Sequence, residues 1–180
     1  ADGDMCSGEV VGSVRCVSGA GGDVVNFTGV QVGEVWVCSG QSNMGWSLEK
    51  ADNSAATIAD AGNHNIRLFR MTAGNGPATT TWQVSNSSTV GSFSAVGYWM
   101  GLELSQWFGN VPIGLVQATH DGTAISAWQH TNGGTGDDYD AMVKSIQPFA
   151  VQGVAWYQGE SNGGSSNYDV LLRDMIQEWR

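Results

Sequence analysis

Four short apolar runs set the architecture this chain can adopt: EVWVC (34–38), IRLFRM (66–71), PIGLVQA (112–118) and VQGVAWYQ (151–158). Each has the length and near-continuous apolar content of a strand covered on both faces, the pattern of a parallel sheet. Between them lie stretches with helical spacing: SAATIADAG (54–62), SAVGYWMGLELSQWFG (94–109), DYDAMVKSIQPF (138–149) and NYDVLLRDMIQEWR (167–180). Gly109 suits a C-terminal stop, and the last two patterns open on Asp or Asn, as helix starts do. Strand alternating with helix predicts a doubly wound α/β sheet over residues 33–180. Residues 1–32 read differently. They are Gly- and Ser-rich, with short β-like runs at 9–17 and 23–32, and are expected to be an antiparallel β segment ending a preceding domain. The stretch 72–92, rich in Thr, Ser, Asn and Gly, is long enough to border a site.

Charge narrows the partners. Seven Lys plus Arg face 17 Asp plus Glu, a net charge of −10, and the acids are scattered over the chain. Such a field repels phosphate backbones and argues against a nucleic-acid partner. No apolar run approaches the roughly 18 residues of a membrane helix, so no membrane partner is expected. Three cysteines leave one unpaired: Cys6 and Cys16 flank an expected hairpin and can bridge, while Cys38 reads as a buried thiol. The sequons at Asn26 and Asn86 favour a secreted, extracellular or lysosomal setting. The eight tryptophans are read mainly as core, with one or two left for stacking on a sugar.

In open α/β sheets, ligands bind beyond the carboxyl ends of the strands. Three of those ends are small and polar: SGQSNM (39–44), THDGT (119–123) and QGESN (158–162). One such end would be a turn, and Ser42 alone would be a turn or capping serine. Three together make a site. No His/Cys/Asp/Glu cluster has metal-ligand spacing and no phosphate loop is visible, so no metal or cofactor is expected.

The segments GEVWVCSGQSNMGW, FSAVGYWMGLEL, VPIGLVQATHDGTAISAW and GVAWYQGESN, in this order from about Gly33 to Arg180, resemble the sialate O-acetylesterase and related carbohydrate acetylesterase domains of the SGNH hydrolase superfamily. The resemblance implies a flavodoxin-like three-layer α/β/α fold and removal of acetyl groups from sugars. It makes Ser42 the nucleophile that becomes acetylated. It assigns the oxyanion donors to the Ser42 N–H, the Gly122 N–H and the Gln158 side-chain amide. Gln41, Asn43, Glu160 and Asn162 support them, with Glu160 expected to accept hydrogen bonds from neighbouring turns. One position departs from the pattern. Asp121 stands where the family has the first glycine of Gly-Gly-Thr, and a carboxylate beside an oxyanion would oppose it.

The family's general base and its orienting acid come from a late Asp-x-x-His. None of His64, His120 and His130 follows an Asp at that spacing. The expectation is therefore a domain that ends before its last strand and helix, and inactive by itself. The rival is His120 as base. That rival is weakened because its neighbour Asp121 is poorly placed to orient it. His64 and His130 read as surface or loop residues. Two other functions stay open: a glycan-binding relative without catalysis, and an acetyl xylan esterase-like enzyme. The negative charge favours neutral sugars.

Overall fold

The computed structural model describes residues 5–8, 11–17, 24–72, 81–147 and 149–180. The chain forms two compact units, Ala1–Gly33 and Glu34–Arg180. In the first, β1 (Met5–Gly8), β2 (Val11–Val17) and β3 (Val24–Gln31) make an antiparallel sheet in the order β1-β2-β3. Cys6 stands opposite Cys16 in the β1–β2 register, so the backbone brings the two positions together. Their sulfur atoms, and with them the bridge, lie outside the described residues.

The second unit is mixed α/β. Its elements run β4 (Glu34–Gly40), the one-turn α1 (Ser42–Gly45), α2 (Ser54–Asp60), β5 (Ile66–Thr72), β6 (Gln83–Val84), α3 (Ala95–Trp107) and β7 (Ile113–Thr119). After β7 come a 3₁₀ turn at Ile125–Trp128, a π-helical turn at Tyr139–Val143 leading into α4 (Lys144–Ile146), β8 (Gly153–Tyr157) and α5 (Tyr168–Trp179). The sheet order is β6-β5-β7-β4-β8. β5, β7, β4 and β8 are parallel, and β6 pairs antiparallel with β5. The expected strands and three of the expected helices are present, while the helix expected over 138–149 forms only as the π-helical turn and the short α4. The short β1 and β6 carry too few apolar residues to announce themselves.

Alternation along the central strands splits the core into two layers. On one face Cys38, Leu68, Ile113 and Leu115 pack with Tyr98 of α3 and Ala61 beyond α2. On the other, Val37, Val116 and Ala118 pack with Trp128, Met142 and Met175. This two-sided cover is why the strands read as continuous apolar runs. Burial pushes the Cys38 thiol up to about 12, so it stays protonated and inert. Trp156 meets Trp128 and Trp179 edge-to-face and Trp128 lies tilted against Trp179, a cluster that seats α5 with ring centroids 5.5–6.4 Å apart. The Trp179 indole N–H closes it by donating to the Trp128 carbonyl at 2.9 Å. Trp46 and Trp107 are the exposed indoles, 52% and 83% accessible. Among the described residues no helix is long and apolar enough to cross a membrane.

His130 is more than a surface residue. Its Nδ1 meets Glu178 of α5 at 2.9 Å and its Nε2 meets Asp140 at 3.2 Å. The Glu178 and Asp140 carboxylates hold the imidazole above its ordinary value. A raised folded-state value stabilises the fold fully below the ordinary imidazole range near 6.5 and loses that contribution as the pH rises through the raised value. Urea unfolding of wild type and His130→Gln should therefore differ most on the mildly acidic side of about pH 6.5. The gap should close above neutrality. A gap independent of pH from about 5 to about 9 would show that the clasp carries no ionisation.

Candidate active site

β4 ends on Gly40, which has a φ of +136°. At that φ a side chain is strained, and a Cβ at Gly40 would overlap the Tyr157 carbonyl oxygen and sit 2.7 Å from its carbon. Glycine thus lets β4 bend against β8. Two bonds fix the bend: Gln41 N–H donates to Tyr157 O at 3.1 Å, and His120 N–H donates to Gly40 O at 3.1 Å. The chain then turns into α1, closed by Gly45 N–H to Gln41 O at 3.0 Å. Ser42 is the first residue of this turn and is partly exposed. Its hydroxyl makes no hydrogen bond among the described residues, and its N–H has no partner inside the helix. A partly exposed hydroxyl on such a bend can attack an electrophile above the sheet.

The β4, β7 and β8 ends are tied together by side chains. Gln158, one residue past β8, directs its amide nitrogen at Gln41 Oε1 (3.1 Å), the Thr123 carbonyl (3.0 Å) and Asn162 Oδ1 (2.8 Å). Its Oε1 accepts from the Tyr168 hydroxyl at 2.7 Å. Asn162 Oδ1 also accepts from the Ile125 N–H at 2.9 Å. Gln41 Oε1 receives the Ser161 N–H at 3.3 Å. The Asn43 amide donates to Glu160 Oε1. Gln41, Gln158 and Asn162 with the Ser161 N–H thus form one lattice, Asn43 and Glu160 form a separate pair, and the Ser42 hydroxyl stands free beside them.

The middle end carries the turn after β7. Gly122 has a φ of +73° and open space where a Cβ would be. Asp121 is exposed, and its Oδ1 lies 3.4 Å from where a Cβ on Gly45 would sit, against the last residue of α1. The turn is locked by Thr123 Oγ1, which donates to the His120 carbonyl at 2.8 Å and accepts from the Trp128 indole at 3.0 Å.

His120 brings the residue that sequence reasoning missed. Its Nδ1 lies 2.7 Å from Asp138 Oδ1, not against its neighbour Asp121. The sequence suggests Asp138 as a helix start, yet its side chain makes no capping bond. An Asp 18 residues away in a glycine-rich stretch gives no local signal. Only the packing of the Tyr139–Val143 turn on the sheet creates the pair. His64 instead pairs with Asp60 at 2.7 Å, before β5 and therefore at the amino edge of the sheet. Among the described residues no group of three His, Cys, Asp or Glu could hold a metal ion.

With this geometry in hand, comparison with known proteins is informative. A family model described as "Carbohydrate esterase, sialic acid-specific acetylesterase" matches residues 32–180. The sialate O-acetylesterase of Homo sapiens is 26% identical over 197 residues, covering 87% of this chain and 38% of that protein. That of Mus musculus is 24% identical, covering 87% and 41%. This chain therefore spans about two fifths of the length of the curated relatives it matches. The crystal structure of a carbohydrate acetylesterase from Xanthomonas citri superposes with a TM-score of 0.79 at 32% identity, covering 97% of this chain and 43% of that one. An Arabidopsis thaliana protein at 22% identity and a TM-score of 0.53 shares the fold.

Proposed function

Since the chain belongs to the sialic acid-specific acetylesterase family of carbohydrate esterases, we propose that it carries the serine nucleophile and oxyanion site of an O-deacetylase acting on an acetylated carbohydrate. Ser42 Oγ attacks the acetyl carbonyl carbon as a general base takes its proton. The tetrahedral oxyanion rests on the N–H groups of Ser42 and Gly122 and on the Gln158 amide. Collapse expels the sugar oxygen, which takes the proton from the base and leaves as a hydroxyl, and water, giving its proton to the base, then hydrolyses the acetyl-Ser42 ester to acetate and free Ser42. The family's own substrate class, O-acetylated sialic acid or a related sugar, is the substrate of this reading, in a secreted, extracellular or lysosomal setting. The carrying observation is the free Ser42 hydroxyl on the Gly40 bend, beside a side-chain lattice that joins the three strand ends. Reaction with a serine-directed phosphonate, followed by peptide mass analysis, tests it. Modification is expected at Ser42 alone, and undiminished labelling of Ser42→Ala would sink the assignment.

Gln158 has two amide hydrogens facing three neutral acceptors. An incoming oxyanion, being charged, competes well for one of them, and the Tyr168 bond keeps the amide plane in place meanwhile. Gln158→Ala should lower kcat by roughly 10²-fold with KM little changed, because the bond strengthens mainly in the transition state. A change confined to KM would instead make Gln158 a substrate-binding residue.

A further inference from the structure

Asp138, built into the site through His120, belongs to no residue set assigned so far, and His120 has figured only as the rival base. The Asp138 side chain is 3% exposed and that of His120 is 47% exposed. Asp138 Oδ2 is buried without a partner among the described residues. Burial pushes this carboxyl above its ordinary value, against the pull of His120. A buried carboxylate that neither caps a helix nor reaches solvent is costly unless it is paired and hydrogen-bonded. Its pairing is with the His120 ring.

His120 is also the residue from which the Gly122 turn hangs. Its N–H is bonded to Gly40 O, and its carbonyl receives the Thr123 hydroxyl. The next carbonyl in the turn to be used, that of Thr123, receives the Gln158 amide. The imidazole is thus the side-chain anchor of a four-residue turn whose other anchors are backbone bonds to β4 and the Gln158 lattice.

We propose that Asp138 is a positioning residue for the deacetylation site: by holding the His120 imidazole it fixes the 120–123 turn, and so the Gly122 N–H and the Gln158 amide that receive the oxyanion. This rests on reading Ser42 as nucleophile and Gly122 and Gln158 as donors. Asp138 touches no substrate and acts through His120. Misplacing an oxyanion donor by about 1 Å is enough to cost on the order of 10²-fold in rate.

The test uses Asp138→Ala, Asp138→Asn and His120→Ala in the full-length protein. Three quantities are read: kcat and KM on an acetyl ester, the rate of Ser42 modification by the phosphonate, and the unfolding midpoint. Asp138→Ala should lower kcat about 10- to 100-fold with KM within about twofold. Phosphonate modification should slow by the same factor, since that adduct is tetrahedral and occupies the oxyanion donors. Asp138→Asn should recover most of the loss, because its carbonyl oxygen still accepts from Nδ1–H. His120→Ala should match Asp138→Ala, and the double variant should be no worse than either, as for one interaction removed twice. If Asp138→Ala does not fold, the half-exposed His120→Ala carries the test.

Three results would overturn the proposal. One is an unchanged kcat in folded Asp138→Ala. Another is an Asn variant as poor as Ala at equal folded fraction. The third is a loss of about 10⁴-fold in His120→Ala against a small one in Asp138→Ala, which would make His120 itself the proton acceptor. Failure of the Ser42 assignment reads out separately, as phosphonate labelling that survives Ser42→Ala.

Discussion

In the full-length protein, Ser42→Ala is expected to lower kcat on an acetylated sugar or a chromogenic acetate by about 10⁴-fold or more while leaving the unfolding midpoint unchanged. The two halves of this expectation come from one observation. The Ser42 hydroxyl makes no hydrogen bond among the described residues, so removing it leaves no buried group unpaired and costs no native contact. What it removes is the atom that forms the acetyl intermediate. The oxyanion donors are contributed by the backbone and by Gln158, and they survive the substitution. They should keep a residual rate above that of water alone, as donors do when a nucleophile is lost. Initial rates with wild type alongside, together with urea unfolding of both, read the two effects independently. A loss of activity accompanied by a comparable loss of stability would assign Ser42 a structural role in α1. A rate within about tenfold of wild type would mean that the hydroxyl does not carry the reaction.

The parts of this molecule that were legible in the sequence are those whose physics is local or periodic. EVWVC, PIGLVQA and their fellows announce strands because two-sided burial removes polar alternation. α3 announces itself because Ser94 and Gly109 bracket a helical pattern, and Ser94 Oγ does accept from the Gly97 N–H at 3.0 Å. Three polar strand ends in one sheet point to a site before any coordinate is known. What stayed hidden depends on distance. The two-residue β6 exists only because β5 offers a partner, and nothing in Gln83–Val84 by itself demands a strand. Asp138 looked like a helix start, since Asp before an apolar pattern usually is one. Its real partner is His120, and a pair 18 residues apart leaves no spacing rule to read. In the side-chain lattice, Gln41 and Asn162 were foreseeable as supports of the donor Gln158, but not as a set of bonds. Which oxygen faces which amide is decided by the β4–β8 register.

That register hangs on Gly40, and Gly40→Ala should be the most damaging glycine-to-alanine change among the described residues. Alanine there meets two penalties at once. A φ of +136° is one that an L side chain rarely adopts, a strain of about 1–3 kcal/mol. The new methyl would also overlap the Tyr157 carbonyl, a backbone atom that cannot rotate away. Relief requires β8 to withdraw from β4, which breaks the Gln41 N–H bond to Tyr157 O and leaves a buried donor unpaired, at about 1–3 kcal/mol more. The combined loss is about 2–6 kcal/mol, whose upper part few single substitutions reach. Activity should fall with it even where the protein stays folded. Tyr157 directly precedes Gln158 and Gln41 directly precedes Ser42, so separating the strands moves nucleophile and oxyanion donor apart. Gly62→Ala is the matched control. That glycine has open space around its would-be Cβ and no positive φ, so the change should be neutral or stabilising by a few tenths of a kcal/mol. Urea unfolding of both variants decides the matter. If Gly40→Ala stays within about 1 kcal/mol of Gly62→Ala, the bend at the end of β4 is not held by the Tyr157 contact. The presentation of Ser42 would then need another cause.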